Sequence, residues 1–205
     1  MTLQELVAAK AGERAIQAYI KDHLHLLGDA CTPSSIAGEY IAFSQFPIMD
    51  GKPDFVVFTS RSRMEVVIVE IKGADFDFIT AEGRVHADVN EAAQQVRERF
   101  GHIIRNYEFF RRKFHEMRAL VEGGDQIYSS LLGPKKYLEV DPNKEVWLKG
   151  MVIAGRSSKN AQESRIRHEL EMENPRISYD TWDGWIKNNG YYAEELRTNF
   201  PTETE

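Results

Sequence analysis

Two carboxylates and one lysine are the residues whose types and spacing best suit chemistry. Glu70 and Lys72 end an apolar run that has the composition of a buried strand. Because side chains alternate between the two faces of a strand, Glu70 and Lys72 share one face and Ile71 points to the other. Asp54 begins another apolar run earlier in the chain. If the two runs are neighbouring strands of a hairpin, Asp54 lies opposite Glu70 and close to Lys72.

This set of side chains suits a divalent cation. Hard cations such as Mg²⁺ take oxygen ligands and keep several waters, so two carboxylates and the phosphate oxygens of a substrate can hold one or two ions. Such an ion lowers the pKa of a bound water and stabilises the charge that develops on a phosphate. A lysine beside it can orient or deprotonate that water and offset the phosphate charge. The alternative is a plain ion pair of Glu70 with Lys72 or Asp54 at the end of a strand.

Composition and charge limit the classes of protein to consider. The chain has 205 residues, of which 42% are hydrophobic and 28% charged, as in an ordinary globular protein. We expect one domain over residues 1–199 and a disordered tail over residues 200–205. The net charge of −6 argues against a protein that coats nucleic acid through its overall charge. A nucleic-acid groove must therefore come from a local basic patch or from the assembly of several chains.

Cysteine content and hydropathy exclude other classes. Cys31 is the single cysteine, which excludes an internal disulfide, and the sequence has no Cys/His pattern typical of zinc sites. The first residues lack the basic and apolar regions of a signal peptide, and no stretch approaches the roughly 20 apolar residues of a membrane span. We therefore expect a cytoplasmic protein with no membrane partner.

The spacing of apolar residues predicts a mixed α/β chain. Thr2 and Glu5 fit a capping box that opens an N-terminal helical region. Three strand-like runs follow, with an Asp50-Gly51 turn between the first and the second: Glu39–Ile48, Asp54–Thr59 and Met64–Lys72. The last part of the chain predicts a strand, a helix, a short strand and a final helix, at Glu145–Ala154, Gln162–Glu171, Ile177–Tyr179 and Thr181–Lys187.

Between these two groups the sequence predicts one long helix, from about Val85 to Val121. Its apolar residues recur at alternating intervals of three and four, which is the spacing of one helical face. We expect this helix to be long enough to protrude and to meet another chain. Gly150, inside the strand that follows, indicates a bulge or the close approach of another element.

The quoted residues resemble the PD-(D/E)XK nuclease superfamily, with Pro53-Asp54 as its second motif and Glu70-Ile71-Lys72 as its third. Further segments resemble the C-terminal domain of Shedu anti-phage defence proteins, and the likeness extends from about Glu13 to Lys187. These segments are Gly51–Phe55, Val69–Gly73, Ala92–Val96, Met151–Arg156 and Ile177–Asp180.

The resemblance implies both a fold and an activity. The fold would be α/β, a restriction-endonuclease-like mixed sheet flanked by helices. The activity would be a Mg²⁺- or Mn²⁺-dependent endonuclease that nicks or cleaves DNA in anti-phage defence, acting as a homo-oligomer, a tetramer. The alternative is a catalytically inactive module of the same fold that serves nucleic-acid binding or oligomeric assembly. The complete Asp/Glu/Lys set argues against that alternative, since a degenerate copy is expected to lose one member.

The resemblance also assigns roles to single residues. Asp54 and Glu70 would bind the metal, and Lys72 would position the attacking water. Gln95 resembles the glutamine on the helix that follows the lysine strand, and Gln94 is the competing assignment. One further residue, Glu13, resembles the first-motif glutamate on the opening helix, with an exposed surface glutamate as the alternative.

Several basic residues are candidates for contacts with nucleic acid. Arg97 and Arg99 lie next to the proposed glutamine on the long helix, and Arg156 and Lys159 lie in a polar turn before a later helix. The alternatives are a solvated helix face, paired with nearby glutamates, and a plain turn.

Overall fold

The computed structural model describes residues 1–48, 51–158 and 160–189. Over these residues the chain forms one six-stranded mixed sheet with helices on both faces. The helices are α1 (Leu3–Ala8), α2 (Glu13–Asp22), α3 (His25–Cys31), α4 (Ala87–Arg105), α5 (Tyr107–Glu122) and α6 (Asn160–Glu173), and residues 182–189 are also helical. The strands are β1 (Tyr40–Phe43), β2 (Phe55–Thr59), β3 (Glu65–Ile71), β4 (Ser130–Leu132), β5 (Trp147–Ile153) and β6 (Ile177–Asp180).

The sheet places β3 in the interior. The strand order is β4-β1-β2-β3-β5-β6; β4, β1, β2 and β3 pair antiparallel, and β3, β5 and β6 pair parallel. All seven residues of β3 are buried, as expected for a strand that is apolar on both faces. The parallel pairing of β3 with β5 needs a long crossover, and α4 and α5 lie within it.

Alternate residues of β3 belong to two separate cores. Val66 and Ile68 pack in the core under α4 and α5, whereas Val67, Val69 and Ile71 pack in the core under α1, α2 and α3. Every residue of β2 and β3 is buried between these two layers. The predicted α/β class is thus confirmed, and the sheet is compatible with a restriction-endonuclease-like fold.

The prediction of one long helix is wrong, because the chain leaves the helical conformation at Asn106. This residue has φ −122° and ψ 36°, and its side-chain amide donates to the carbonyl of His102 at 3.0 Å. The apolar stripe keeps its phase through the break, so its spacing carries no sign of it. The helices on either side do not protrude. Phe100 of α4 and Phe114 of α5 are buried in the same core.

Other predicted elements differ in extent. The capping box of Thr2 and Glu5 forms in both directions, and the region that follows divides into three helices. β1 is much shorter than the predicted Glu39–Ile48, while β4 was not predicted because three residues are too few for a periodic signal. Asp50 of the predicted turn and the predicted tail at 200–205 lie outside the described residues. Among the described helices, none combines the length and the hydropathy that a membrane crossing requires.

Gly150 marks the close approach of α4 to β5. A Cβ atom at this position would lie 2.5 Å from Cγ1 of Val96, 3.2 Å from Cγ1 of Ile177 and 3.4 Å from Cζ of Phe100. Because the side chain of Gly150 is only a hydrogen, α4 can pack directly on the sheet. This packing positions the candidate site residues that α4 carries.

We predict that Gly150→Ala destabilises the fold by about 1–3 kcal/mol through overpacking. Urea denaturation measures the loss. Gly51→Ala is the control because no atom lies within 4 Å of a Cβ there, and its expected effect is within about 0.5 kcal/mol. Equal midpoints for Gly150→Ala and the wild type would contradict the packing argument.

Candidate functional site

The register of β2 and β3 places Asp54 opposite Glu70. Phe55 pairs with Val69 in this antiparallel ladder, so the next position along brings the two carboxylates together. Asp54 is fixed on both oxygens. Oδ2 accepts from the backbone N–H of Ile71 at 2.8 Å, and Oδ1 accepts from Nε2 of Gln17 at 2.5 Å. The hairpin geometry predicted from the sequence is confirmed.

Glu70 is a buried carboxylate whose charge and hydrogen-bonding capacity are only partly satisfied by its neighbours. Its side chain is 3% exposed, and NH1 of Arg99 lies 3.0 Å from Oε1. This contact is an ion pair by distance, but its geometry does not give a hydrogen bond, and Oε1 has no hydrogen-bond partner among the described residues. Burial and the charge of Asp54 together raise the pKa of Glu70 to about 8, although Arg99 acts in the opposite direction. Glu70 therefore lies in a position that favours either a proton or a cation.

Lys72 points toward two helices rather than toward Glu70. Its Nζ lies 3.2 Å from Oε2 of Glu13 on α2 and 4.0 Å from Oε1 of Glu91 on α4. Burial acts to lower the pKa of Lys72, but the charges of Glu13, Glu91 and Asp54 outweigh it, and the net pKa is raised. The amine thus holds its proton. The simple ion pair of Glu70 with Lys72 that the sequence left open does not form.

The two candidate glutamines have different surroundings. On α4, Glu91, Gln95 and Arg99 follow one another at intervals of four and therefore share a face. Glu91 contacts Lys72 and Arg99 contacts Glu70, so Gln95 lies between two residues of the site. Its Nε2 donates to Oε1 of Glu91 at 3.4 Å.

Gln94, by contrast, is exposed and bonded away from the site. Its amide donates to Glu98 at 2.9 Å and its Oε1 accepts from Arg97 at 3.2 Å. Glu13 is not an isolated surface glutamate, because it contacts Lys72 although its side chain is 41% exposed. The geometry favours Gln95 over Gln94 and brings Glu13 to the site.

The candidate nucleic-acid contacts are mostly engaged elsewhere. Arg99 is part of the site, where it also donates to the carbonyl of Lys52 at 3.2 Å. Arg156 forms a two-pronged ion pair with Asp183 and donates to the carbonyl of Val7 at 2.7 Å. Arg97 is bonded to Gln94. The fourth candidate, Lys159, lies outside the described residues.

Sequence reasoning missed three residues that touch the site: Gln17, Glu91 and Arg99 in its role beside Glu70. Helical spacing carries a signal for all three. Gln17 follows Glu13 by four residues on α2, and on α4 Glu91 precedes Gln95 by four and Arg99 follows it by four, so each shares a face with a predicted site residue.

The carboxylates fit a hard cation of the magnesium type. Within the described ranges, no group of three or more His, Cys, Asp or Glu side chains could hold a metal. Mg²⁺ needs only one or two carboxylates, since waters and substrate phosphates complete its coordination, whereas zinc sites take three or four protein ligands. The orphaned Oε1 of Glu70 and the proximity of Asp54 are the features that a cation would relieve.

Comparison with known protein families identifies the group to which this arrangement belongs. The model of the family described as Shedu protein SduA, C-terminal, matches residues 10–184. The chain belongs to this family. The matched range includes every residue of the site, from Glu13 to Arg99. Membership of the Shedu family points to anti-phage defence. A comparison with curated proteins gave no match.

We predict that the ionisation of Glu70 makes stability depend on pH. Between its ordinary pKa of 4.5 and about 8, the folded state holds a proton that the unfolded state has lost, so the free energy of unfolding falls as pH rises through this window. Glu70→Gln cannot ionise and should be more stable than the wild type above pH 8 by about 2–5 kcal/mol.

Urea denaturation at pH 5, 7 and 9 in the presence of a chelator measures this difference, which should disappear toward pH 5. Glu98→Gln, a change at an exposed carboxylate on the outer face of α4, is the matched control and should follow the wild type at every pH. If the free energies of unfolding of Glu70→Gln and the wild type differed by the same amount at every pH, the pKa of Glu70 would be an ordinary one.

Proposed function

We propose that the chain is a metal-dependent DNA endonuclease that hydrolyses phosphodiester bonds in anti-phage defence. The observation that carries the proposal is the buried carboxylate of Glu70 opposite Asp54, with the protonated amine of Lys72 beside them. A buried carboxylate that lies next to a second carboxylate and has one oxygen without a hydrogen bond is costly to the fold, so its presence favours a function over a structural role.

Asp54 and Glu70 would hold the Mg²⁺ or Mn²⁺ ion. When bound, the ion lowers the pKa of a water and stabilises the charge that develops on the phosphate. The protein fixes the two ligands in different ways. The hydrogen bonds from Gln17 and from the Ile71 backbone orient Asp54, whereas the rigid centre of the sheet orients Glu70.

Lys72 acts as a positive charge in this arrangement. Because Glu13 and Glu91 help to keep its amine protonated, Lys72 suits the stabilisation of phosphate charge and the orientation of a water better than the removal of a proton. Glu13 is a positioning residue that holds the amine through its contact at 3.2 Å. Gln95 lies between Glu91 and Arg99 and offers an amide to the same space.

We predict that Lys72→Ala lowers the rate of metal-dependent DNA cleavage by about 10²-fold or more, because it removes a charge aimed at the reacting phosphate. Supercoiled and linear DNA are incubated with wild type or variant in Mg²⁺, Mn²⁺ or chelator, and circular dichroism verifies folding. Lys136→Ala, a change at an exposed lysine in the turn after β4, is the control. Full activity of Lys72→Ala would remove the lysine from the mechanism.

The same assay separates the proposal from the inactive-module alternative. If the wild type cleaves no nucleic acid in any metal and still binds DNA, the fold serves binding or assembly. The tetramer implied by the Shedu resemblance stays a prediction.

We also predict that metal affinity rises with pH, because a cation must displace the proton that Glu70 retains below about pH 8. Isothermal titration with Mn²⁺ should give an affinity about tenfold or more higher at pH 8.5 than at pH 6.5. At pH 6.5, buffers of different ionisation enthalpy should reveal the release of roughly one proton. Glu70→Gln should bind much more weakly at both pH values, and an affinity independent of pH would contradict the assignment of Glu70 as a ligand.

A further inference from the structure

A cavity of about 310 Å³ lies beside Asp54, on the side of the site away from α4. Arg14, Gln17 and Lys21 of α2 line it together with Ser44 and Asp54. The cavity therefore adjoins the proposed metal ligands and carries two positive side chains.

The helix α2 fixes the spacing of these two cations around Asp54. Gln17 is bonded to Asp54 at 2.5 Å, and Arg14 precedes it by three residues while Lys21 follows it by four. Residues three and four apart share one face of a helix. Arg14 and Lys21 are separated by about 10 Å along the helix axis, at 1.5 Å per residue. That separation exceeds the width of one phosphate group, so the two cations suit different phosphates of one strand.

The two cations are available for a ligand. Both side chains are exposed, and within residues 1–48, 51–158 and 160–189 neither of them forms an ion pair or a hydrogen bond. Two other candidate arginines are already paired, Arg99 with Glu70 and Arg156 with Asp183.

The charge distribution favours an anion that reaches both cations at once. The carboxylate of Asp54 would repel a single phosphate beside it. A polyanion that extends past Asp54 to both Arg14 and Lys21 gains two attractive contacts, which offset this repulsion. The chain as a whole carries −6, so the attraction must be local. Contacts of this kind hold a phosphate backbone in position and carry no sequence information.

We infer that the Arg14–Lys21 face of α2 binds the phosphate backbone of the nucleic-acid strand next to the scissile phosphate. The placement of that strand rests on the proposed function. The face supplies two phosphate contacts, one from each cation. It takes the place of Arg97 and Arg99, the candidates from the sequence, which are bonded to Gln94 and Glu70.

The test compares two double variants of the full chain that remove the same charge. One is Arg14→Ala with Lys21→Ala. The control is Arg105→Ala with Lys136→Ala, which removes two exposed cations, from the last residue of α4 and from the turn after β4. Fluorescence anisotropy measures binding of a labelled DNA duplex in Ca²⁺ at several salt concentrations, with a gel to verify that the duplex is uncut. An RNA duplex of the same sequence is measured in parallel.

The expected result is specific to the face. Two lost phosphate contacts should raise the Kd for DNA by about tenfold to sixtyfold at 0.1 M salt and reduce the slope of log Kd against log salt by about 2. The control should keep the wild-type Kd and slope. Arg14→Lys, which retains the charge, should keep most of the affinity. Equal weakening of the RNA duplex would show that the face recognises the phosphate backbone of either nucleic acid.

The outcomes separate this inference from the proposed function. If the wild type cleaves DNA and the Arg14/Lys21 variant binds with an unchanged Kd and slope, the inference is wrong and the nuclease stands. If the variant binds DNA weakly but the wild type cleaves under no condition, the face stands as a nucleic-acid contact and the nuclease proposal fails. Binding of neither duplex by the wild type would overturn both.

Discussion

The burial of Glu70 opposite Asp54 is the constraint on which the rest of the site depends. An ionised carboxylate in the interior of a sheet is strongly disfavoured unless it is paired, and a second carboxylate next to it increases the cost. Two features reduce this cost. Arg99 lies beside Glu70, and the pKa of Glu70 is raised, so that its carboxyl group retains a proton near neutral pH. Neither feature satisfies Oε1, so the site keeps a position at which a cation is favourable.

Helices from opposite faces of the sheet meet at this point. α2 packs through Ile16 and Ile20 in one core, and α4 packs through Val96 in the other. Because Lys72 lies just beyond the end of β3, both helices can reach it, and Glu13 and Glu91 contact the same amine. The position of the site at the end of the central strand follows from this, since only there can side chains from both layers converge.

Patterns that depend on near neighbours in the chain predicted much of this arrangement. The apolar runs of β2 and β3 predicted the hairpin and the meeting of Asp54 with Glu70, because the short connection between two hairpin strands leaves few registers. The break at Asn106 could not be predicted from the apolar stripe, which continues in phase on both sides. The partners of the arginines could not be predicted either. Arg99 meets Glu70 through packing of α4 on β3, and pattern alone gave it to nucleic acid.

The cost of leaving a buried charge unpaired explains why Arg99 stays beside Glu70, whereas Arg14 and Lys21 can bind a ligand. Removing the guanidinium of Arg99 from Glu70 would leave a buried charge without compensation, so Arg99 cannot serve a phosphate while Glu70 is ionised and no other cation is present. Arg14 and Lys21 are exposed and leave no such charge behind when they bind an anion. On the proposed function, the substrate of this acidic chain would therefore be attracted by side chains at the rim of the site, and Arg99 would leave Glu70 only when a metal takes its place. Metal binding and the availability of Arg99 would thus be coupled through one carboxylate, Glu70.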